Sequence, residues 1–119
     1  MITKDELPKC PVATTVYLIG NKWTLLILRE LVTNDTMRFG QLKKNVDGIS
    51  QKVLTQNLKE LEKNGLVKRQ VYAEVPPKVE YSLTNIGKTL IPVMNTLAEW
   101  GEEYKNLISA WIIIPDVCK

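Results

Sequence analysis

The stretch of sequence that decides the fold runs from Gly48 to Arg69 and reads "GISQKVLTQNLKELEKNGLVKR". Leu54, Leu58 and Leu61 recur at i, i+4 and i+7, which is the spacing of one buried helix face. The other side of the first two turns carries amides, a hydroxyl and a lysine, but no acidic residue. The pattern predicts an amphipathic helix over about residues 50–64.

The polar side of this helix has the chemistry that suits DNA. Glutamine pairs with adenine N6 and N7, lysine suits guanine O6 and N7, and serine or threonine bonds a base edge or a phosphate. Lys59 lies further along the helix, and we expect it to meet phosphate. For any one of these residues the alternative is simple solvation. The candidate DNA-contacting residues on the helix are Ser50, Gln51, Lys52, Thr55, Gln56 and Lys59.

Three shorter helices are predicted before this one. Apolar spacing indicates helices at about Val12–Ile19, Lys22–Val32 and Phe39–Val46. Asn21 is a suitable cap for the second of them. An Asp-Gly turn ending at Gly48 then leads into the polar-faced helix, since glycine accepts positive φ without strain.

A hairpin is predicted after the polar-faced helix, because the apolar period changes from 3.6 to 2 beyond Gly65. Val67–Tyr72 and Lys78–Leu83 are the predicted strands, and prolines stiffen the tip between them. Arg69 and Lys78 on this hairpin are expected to reach the flanking phosphates or the minor groove.

The last predicted helix begins at a Thr84 cap, continues to about residue 111 and is kinked at Pro92. It carries more apolar surface than one small domain can cover, which indicates self-association. Two-fold pairing would place the polar-faced helices of the two chains about 34–36 Å apart and predicts an inverted-repeat operator. The candidate dimer-interface residues are Val93, Leu97, Trp100 and Tyr104.

The composition limits the classes of protein to which the chain can belong. With 119 residues, 45% of them apolar and 24% charged, the chain is predicted to form one globular domain. The N-terminal residues lack the apolar segment of a secretory signal, and apolar runs are far shorter than the roughly 20 residues that span a bilayer. We therefore expect a cytoplasmic protein without membrane contact.

Charge and residue types favour a polyanion-binding protein over an enzyme. Residues 41–70 carry seven basic and three acidic residues, whereas residues 84–109 carry two basic and three acidic residues. A solvated basic helix of no special use is the alternative reading of this charge. The chain has no histidine, its two cysteines lack metal-ligand spacing, and no glycine-rich phosphate-binding motif occurs. No catalysis, metal or cofactor is expected.

The order of these elements predicts a winged helix-turn-helix fold of the α+β class, mainly helical, with added N-terminal and long C-terminal dimerisation helices. In this architecture the first helix of the pair bridges the phosphate backbone and the second enters the major groove. The predicted parts are an N-terminal arm at 1–9, the domain at 10–111 and a tail at 112–119, with the recognition helix at about 50–64, the wing at about 67–83 and the dimerisation helix at about 84–111.

Residues 10–109 resemble the HxlR family of bacterial and archaeal transcriptional regulators, which are related to the MarR group. The resemblance implies a homodimer that binds double-stranded operator DNA and regulates transcription. Arg38, within one of the matching motifs, is a further candidate DNA contact. The motifs are "CPV" (10–12), "LIGNKWTLLIL" (18–28), "MRFGQL" (37–42), "GISQKVLTQNLKELEKNGLV" (48–67), "PPKVEYSLTNIGKTL" (76–90) and "WG" (100–101).

Several alternatives stay open from the sequence. Cys10 lies where several relatives in the family carry a cysteine that senses oxidants or electrophiles; the alternative is a small, inert, packed residue. Cys118 could resolve an oxidised Cys10 only where the termini of a dimer meet. Trp23 and Trp100 are expected to fill the core or an interface, with a small-molecule pocket beside them in the dimer groove as the alternative. The effector is unknown, and a winged-helix protein–protein interaction module is the chief rival function.

Overall fold

The α-helices and strands follow the predicted order with two differences. The computed structural model describes residues 2–111. The predicted tail at 112–119, with Cys118, lies outside the described residues. In chain order the elements are a 3-10 turn at Lys4–Glu6, α1 (Pro11–Ile19), α2 (Lys22–Thr33), β1 (Met37–Arg38), α3 (Phe39–Asn45), α4 (Gln51–Lys63), β2 (Val67–Tyr72), β3 (Lys78–Leu83), α5 (Asn85–Lys88) and α6 (Ile91–Trp111).

Side-chain caps and two glycines set the ends of the central helices. Asn21 Oδ1 accepts a hydrogen bond from a first-turn backbone N–H of α2 at 2.8 Å, and Ser50 Oγ accepts one in the same way at the start of α4 at 3.1 Å. Gly48 and Gly65 have φ values of +81° and +75°, which only glycine adopts without strain. The predicted cap at Asn21 and the predicted positive φ at Gly48 are confirmed.

The core is built around α2, whose sequence is apolar on most of its circumference. Ile27 and Leu28 of α2 are fully buried, and α2 packs against α4, α6 and the sheet. The predicted inward face of α4 is also confirmed, because Leu54, Leu58 and Leu61 are all buried in the same cluster. Burying each of these side chains contributes about 1.5–3 kcal/mol, so the leucines fix the orientation of α4.

A three-stranded antiparallel sheet, in the order β1-β3-β2, packs against the helices. The two wing strands have the predicted bounds. β1 is the first difference: its two residues are too few to show a period of two, so the sequence did not predict it. Met37 of β1 is buried opposite Tyr81 of β3 and ties the wing to the helical core.

The second difference is a correction, because the predicted single helix over 84–111 is two helices. Thr84 caps only the short α5, and the chain turns before α6 begins. Pro92 does not kink a helix; it is the second residue of α6, where its missing N–H is not needed. The carbonyl of Leu90 accepts the first helical bond of α6 at 2.8 Å.

Candidate nucleic-acid interface

The first two turns of α4 present a row of polar side chains to solvent. Gln51, Lys52, Gln56 and Lys59 are exposed, and Thr55 is half-buried. Among the described residues, none of these five side chains takes part in a hydrogen bond or an ion pair of the protein. The row therefore keeps its donors and acceptors available to a ligand.

A partly buried hydrogen bond holds the opposite side of α4 against α2. Thr24 Oγ1 donates to Asn57 Oδ1 at 2.7 Å, and Asn57 Nδ2 donates to the Val53 carbonyl at 2.8 Å. The sequence reasoning missed this pair. The signal was present, because Asn57 lies three residues after Leu54 and therefore on the leucine side of the helix. Asn57 is a positioning residue for α4.

A cleft of about 300 Å³ separates α4 from the wing. Three of the predicted DNA-contacting residues, Thr55, Lys59 and Arg69, line it together. Phe39 and the buried Tyr81 belong to the same lining. One acidic residue, Glu62, also lines the cleft, and the sequence reasoning did not connect it with this site. Two cationic side chains and a hydroxyl on facing walls suit a phosphate group.

The two basic residues predicted on the wing lie on opposite faces of the sheet. Arg69 pairs with Tyr81 in the register, whereas Lys78 is three residues from Tyr81 on the same strand. Since side chains alternate between faces along a strand, Arg69 faces α4 and Lys78 lies on the outer face. The structure thus brings Arg69 to the α4 cleft and leaves Lys78 away from it.

The outer face of the wing contains a compact charged network. Lys78 Nζ lies 3.7 Å from Glu80 Oε2 and 4.9 Å from the centroid of the Tyr72 ring. Glu80 raises the pKa of the Tyr72 phenol above its ordinary value, first by accepting its hydrogen bond and then by its charge. The cation of Lys78 is therefore already engaged by an acid and an aromatic ring.

Arg38 and Ser50 have structural roles beside their predicted ones. Arg38 is exposed at the end of β1, directly across from Glu80, and its backbone N–H donates to Gln41 Oε1 at 2.8 Å at the start of α3. The Ser50 hydroxyl accepts the cap bond of α4. The cap uses the acceptor of Ser50, so the hydroxyl hydrogen can still be donated to DNA.

An apolar surface extends along the exposed side of α6. Val93, Leu97, Trp100 and Tyr104 are exposed, and the rings of the last two stack with centroids 5.5 Å apart. This is the set predicted for self-association. α1 adds a second apolar surface that the sequence reasoning did not single out, with Val12, Val16 and Tyr17 all exposed. Large apolar side chains clustered in this way mark interaction surfaces.

The cysteine and tryptophan candidates occupy different environments. Cys10 is an exposed free thiol immediately before α1. Trp23 packs against the core, as expected, whereas Trp100 is exposed on α6. A groove of about 420 Å³ lies between α2 and α6, and its lining includes Leu26 and Met94 but neither tryptophan.

Comparison with known proteins agrees with this architecture. A family model described as HxlR-like helix-turn-helix matches residues 18–109. The chain belongs to the HxlR family. The proteins of this family are transcriptional regulators that carry a helix-turn-helix domain, and the predicted family and winged-helix fold are confirmed.

Relatives of this HxlR protein include regulators and solved structures. It is 45% identical to the HTH-type transcriptional regulator YdeP of Bacillus subtilis over 89% of its own length and 82% of YdeP. It is similar to the redox regulator HypR in its oxidised form, with 44% identity, a TM-score of 0.75 and coverage of 79% and 96%. Diamide-treated YodB of B. subtilis matches with 36% identity, a TM-score of 0.66 and coverage of 80% and 94%.

Within the described part of the chain, no helix combines the length and the hydropathy that crossing a bilayer requires. The described residues also include no cluster of three or more potential metal ligands among His, Cys, Asp and Glu.

Proposed function

We propose that this HxlR-family regulator binds operator DNA sequence-specifically through the first two turns of α4. The observation that carries the proposal is the polar row on α4, which is open to solvent and has no hydrogen-bond or ion-pair partner among the described residues. The buried leucines and the Thr24–Asn57 bond hold it outward. A helix presented in this way fits the major groove, where amide and amine groups discriminate base pairs.

The residues divide into two proposed roles. Gln51, Lys52 and Gln56 lie in the leading turns and are assigned to base edges. Thr55, Lys59 and Arg69 share the cleft between α4 and the wing and are assigned to one strand of the phosphate backbone. Phosphate contacts set the position of the protein on the duplex, while base contacts set its sequence preference.

The proposed binding unit is a homodimer. The exposed apolar surfaces on α6 and α1 support it, because each leaves large aromatic and aliphatic side chains in water when the chain is alone. A two-fold axis would set two α4 helices about 34–36 Å apart along one side of the duplex. We therefore expect an inverted-repeat operator that matches two half-sites one DNA turn apart.

Selection of DNA fragments by the purified protein, followed by affinity measurements over a range of salt concentrations, tests the proposal. For an operator found in this way, we expect log K to fall by about 0.9 for each phosphate neutralised per tenfold increase in salt. The rival function, a winged-helix protein–protein module, predicts no selected sequence and a flat salt response. Recovery of no enriched sequence contradicts the proposal.

We also propose that oxidation of Cys10 regulates DNA binding. The exposed thiol at the start of α1 and the similarity to HypR, described as a redox regulator, support this. Diamide treatment is expected to change the operator affinity of the parent protein but not that of Cys10→Ser, with reversal by a thiol reductant. An equal response of both proteins would exclude Cys10 as the sensor.

A further inference from the structure

The outer face of the wing offers less positive charge to a ligand than its sequence suggests. Lys78 and Glu80 form an ion pair whose side chains are 30% and 19% exposed, so both are partly shielded from water. The ring of Tyr72, which pairs with Lys78 in the register, lies beside the same ammonium group. A phosphate that binds Lys78 must therefore displace a carboxylate and compete with an aromatic ring.

The position of Glu80 in the sheet makes it the centre of this network. It lies on β3, the middle strand, with Arg38 directly across on β1 and Gln70 directly across on β2. Lys78 lies two residues earlier on the same face. One carboxylate thus lies beside two cationic residues on the face of the sheet opposite the one that carries Arg69 and Tyr81.

We propose that Glu80 is a positioning residue, which holds Lys78 within the wing and so limits the attraction of the wing to phosphates of any sequence. The inference rests on the proposed DNA-binding function and deepens it. Sequence-independent affinity comes from phosphate contacts, and a regulator must find its operator among a large excess of other sites. Withholding one cation lowers the sequence-independent part of the affinity, for operator and non-operator DNA alike, while the base contacts of α4 are unchanged.

The mechanism predicts an effect that passes through Lys78. Glu80→Gln keeps the shape of the side chain and removes its charge, which releases the ammonium group for one additional phosphate contact. One more contact corresponds to a salt slope more negative by up to about 0.9 and to about three- to eightfold tighter binding of non-operator duplex at 0.1 M salt. The same substitution in a Lys78→Met background should change affinity less than about twofold, since the released cation is absent.

The DNA experiment is a double-mutant cycle on a duplex of scrambled sequence. Fluorescence anisotropy is measured for the parent, Glu80→Gln, Lys78→Met and the double variant, with the unfolding midpoint of each as a control for folding. A gain in Glu80→Gln that disappears in the double variant supports the inference. No gain in Glu80→Gln overturns the inference. An equal gain in the Lys78→Met background also overturns it, because the effect would then come from removing a negative charge and not from releasing Lys78.

A second readout needs no DNA. Absorbance titration of the tyrosines, with Tyr72→Phe to identify the relevant phenol, should show the pKa of Tyr72 falling towards its ordinary value in Glu80→Gln. An unchanged Tyr72 titration overturns the network. Failure of the parent to bind any duplex overturns the proposed function and this inference with it, whereas binding by the parent without a Glu80 effect overturns the inference alone.

Discussion

The leading turns of α4 and the outer face of the wing carry similar residue types but present them differently. Lys52 on α4 is exposed with no described partner, whereas Lys78 on the wing is bound by Glu80 and lies over Tyr72. The difference arises from neighbours in space, since the acid that engages Lys78 lies on the same strand face. A basic residue in the sequence is therefore not equivalent to a charge that DNA can use.

The largest expected effect is on stability and concerns the buried side of α4, which holds the polar row outward. Leu54→Ala removes a fully buried side chain and should lower the free energy of unfolding by about 2–5 kcal/mol. The matched substitution on the exposed side, Lys59→Ala, should change it by less than about 0.5 kcal/mol. Urea denaturation measures both. Equal losses would mean that the leucine side of α4 is not its anchor.

The next effect concerns base recognition by α4. Gln56→Ala should weaken operator binding by about 1–3 kcal/mol and leave binding to a scrambled duplex nearly unchanged, because a base contact acts only where the base is correct. Competition binding with both duplexes measures the ratio. If both affinities fall together, Gln56 contributes to general attraction instead of sequence preference.

The smallest effects compare the two faces of the wing. Arg69→Ala should weaken binding to every duplex and make the salt slope less steep by about 0.9, because Arg69 lines the cleft next to α4. Lys78→Ala should have a smaller effect on both quantities, since Glu80 already engages its charge. Measuring the affinity of each variant for one duplex over a range of salt concentrations gives both quantities. A larger loss for Lys78 would reverse the assignment of the faces.

Much of the fold could be predicted because its signals are local. The caps at Asn21 and Ser50, the stop at Gly65 and the period-two strands each depend on a few adjacent residues. β1 is too short to show a period of two. The break before α6 depends on whether Pro92 lies inside a helix or in the first turn of a new one, and the spacing of apolar residues does not distinguish these cases. Both differences therefore concern elements without a distinct local pattern.

The candidate site could be predicted less completely. Helical spacing placed the polar row of α4 correctly on the exposed side. The division of the wing into two faces depends on strand register, and the pairing of Lys78 with Glu80 depends on side-chain geometry that composition does not contain. That these residues contact DNA stays a prediction.

The central claim is that the start of α4 reads bases in the major groove, and replacement of single purine N7 atoms in the operator tests it most directly. Substituting 7-deazapurines one position at a time should weaken the parent at a few positions in each half-site, by about 1–3 kcal/mol. At one of these positions Gln56→Ala should show no further loss. If no N7 substitution changes the affinity of the parent, α4 does not read the major groove.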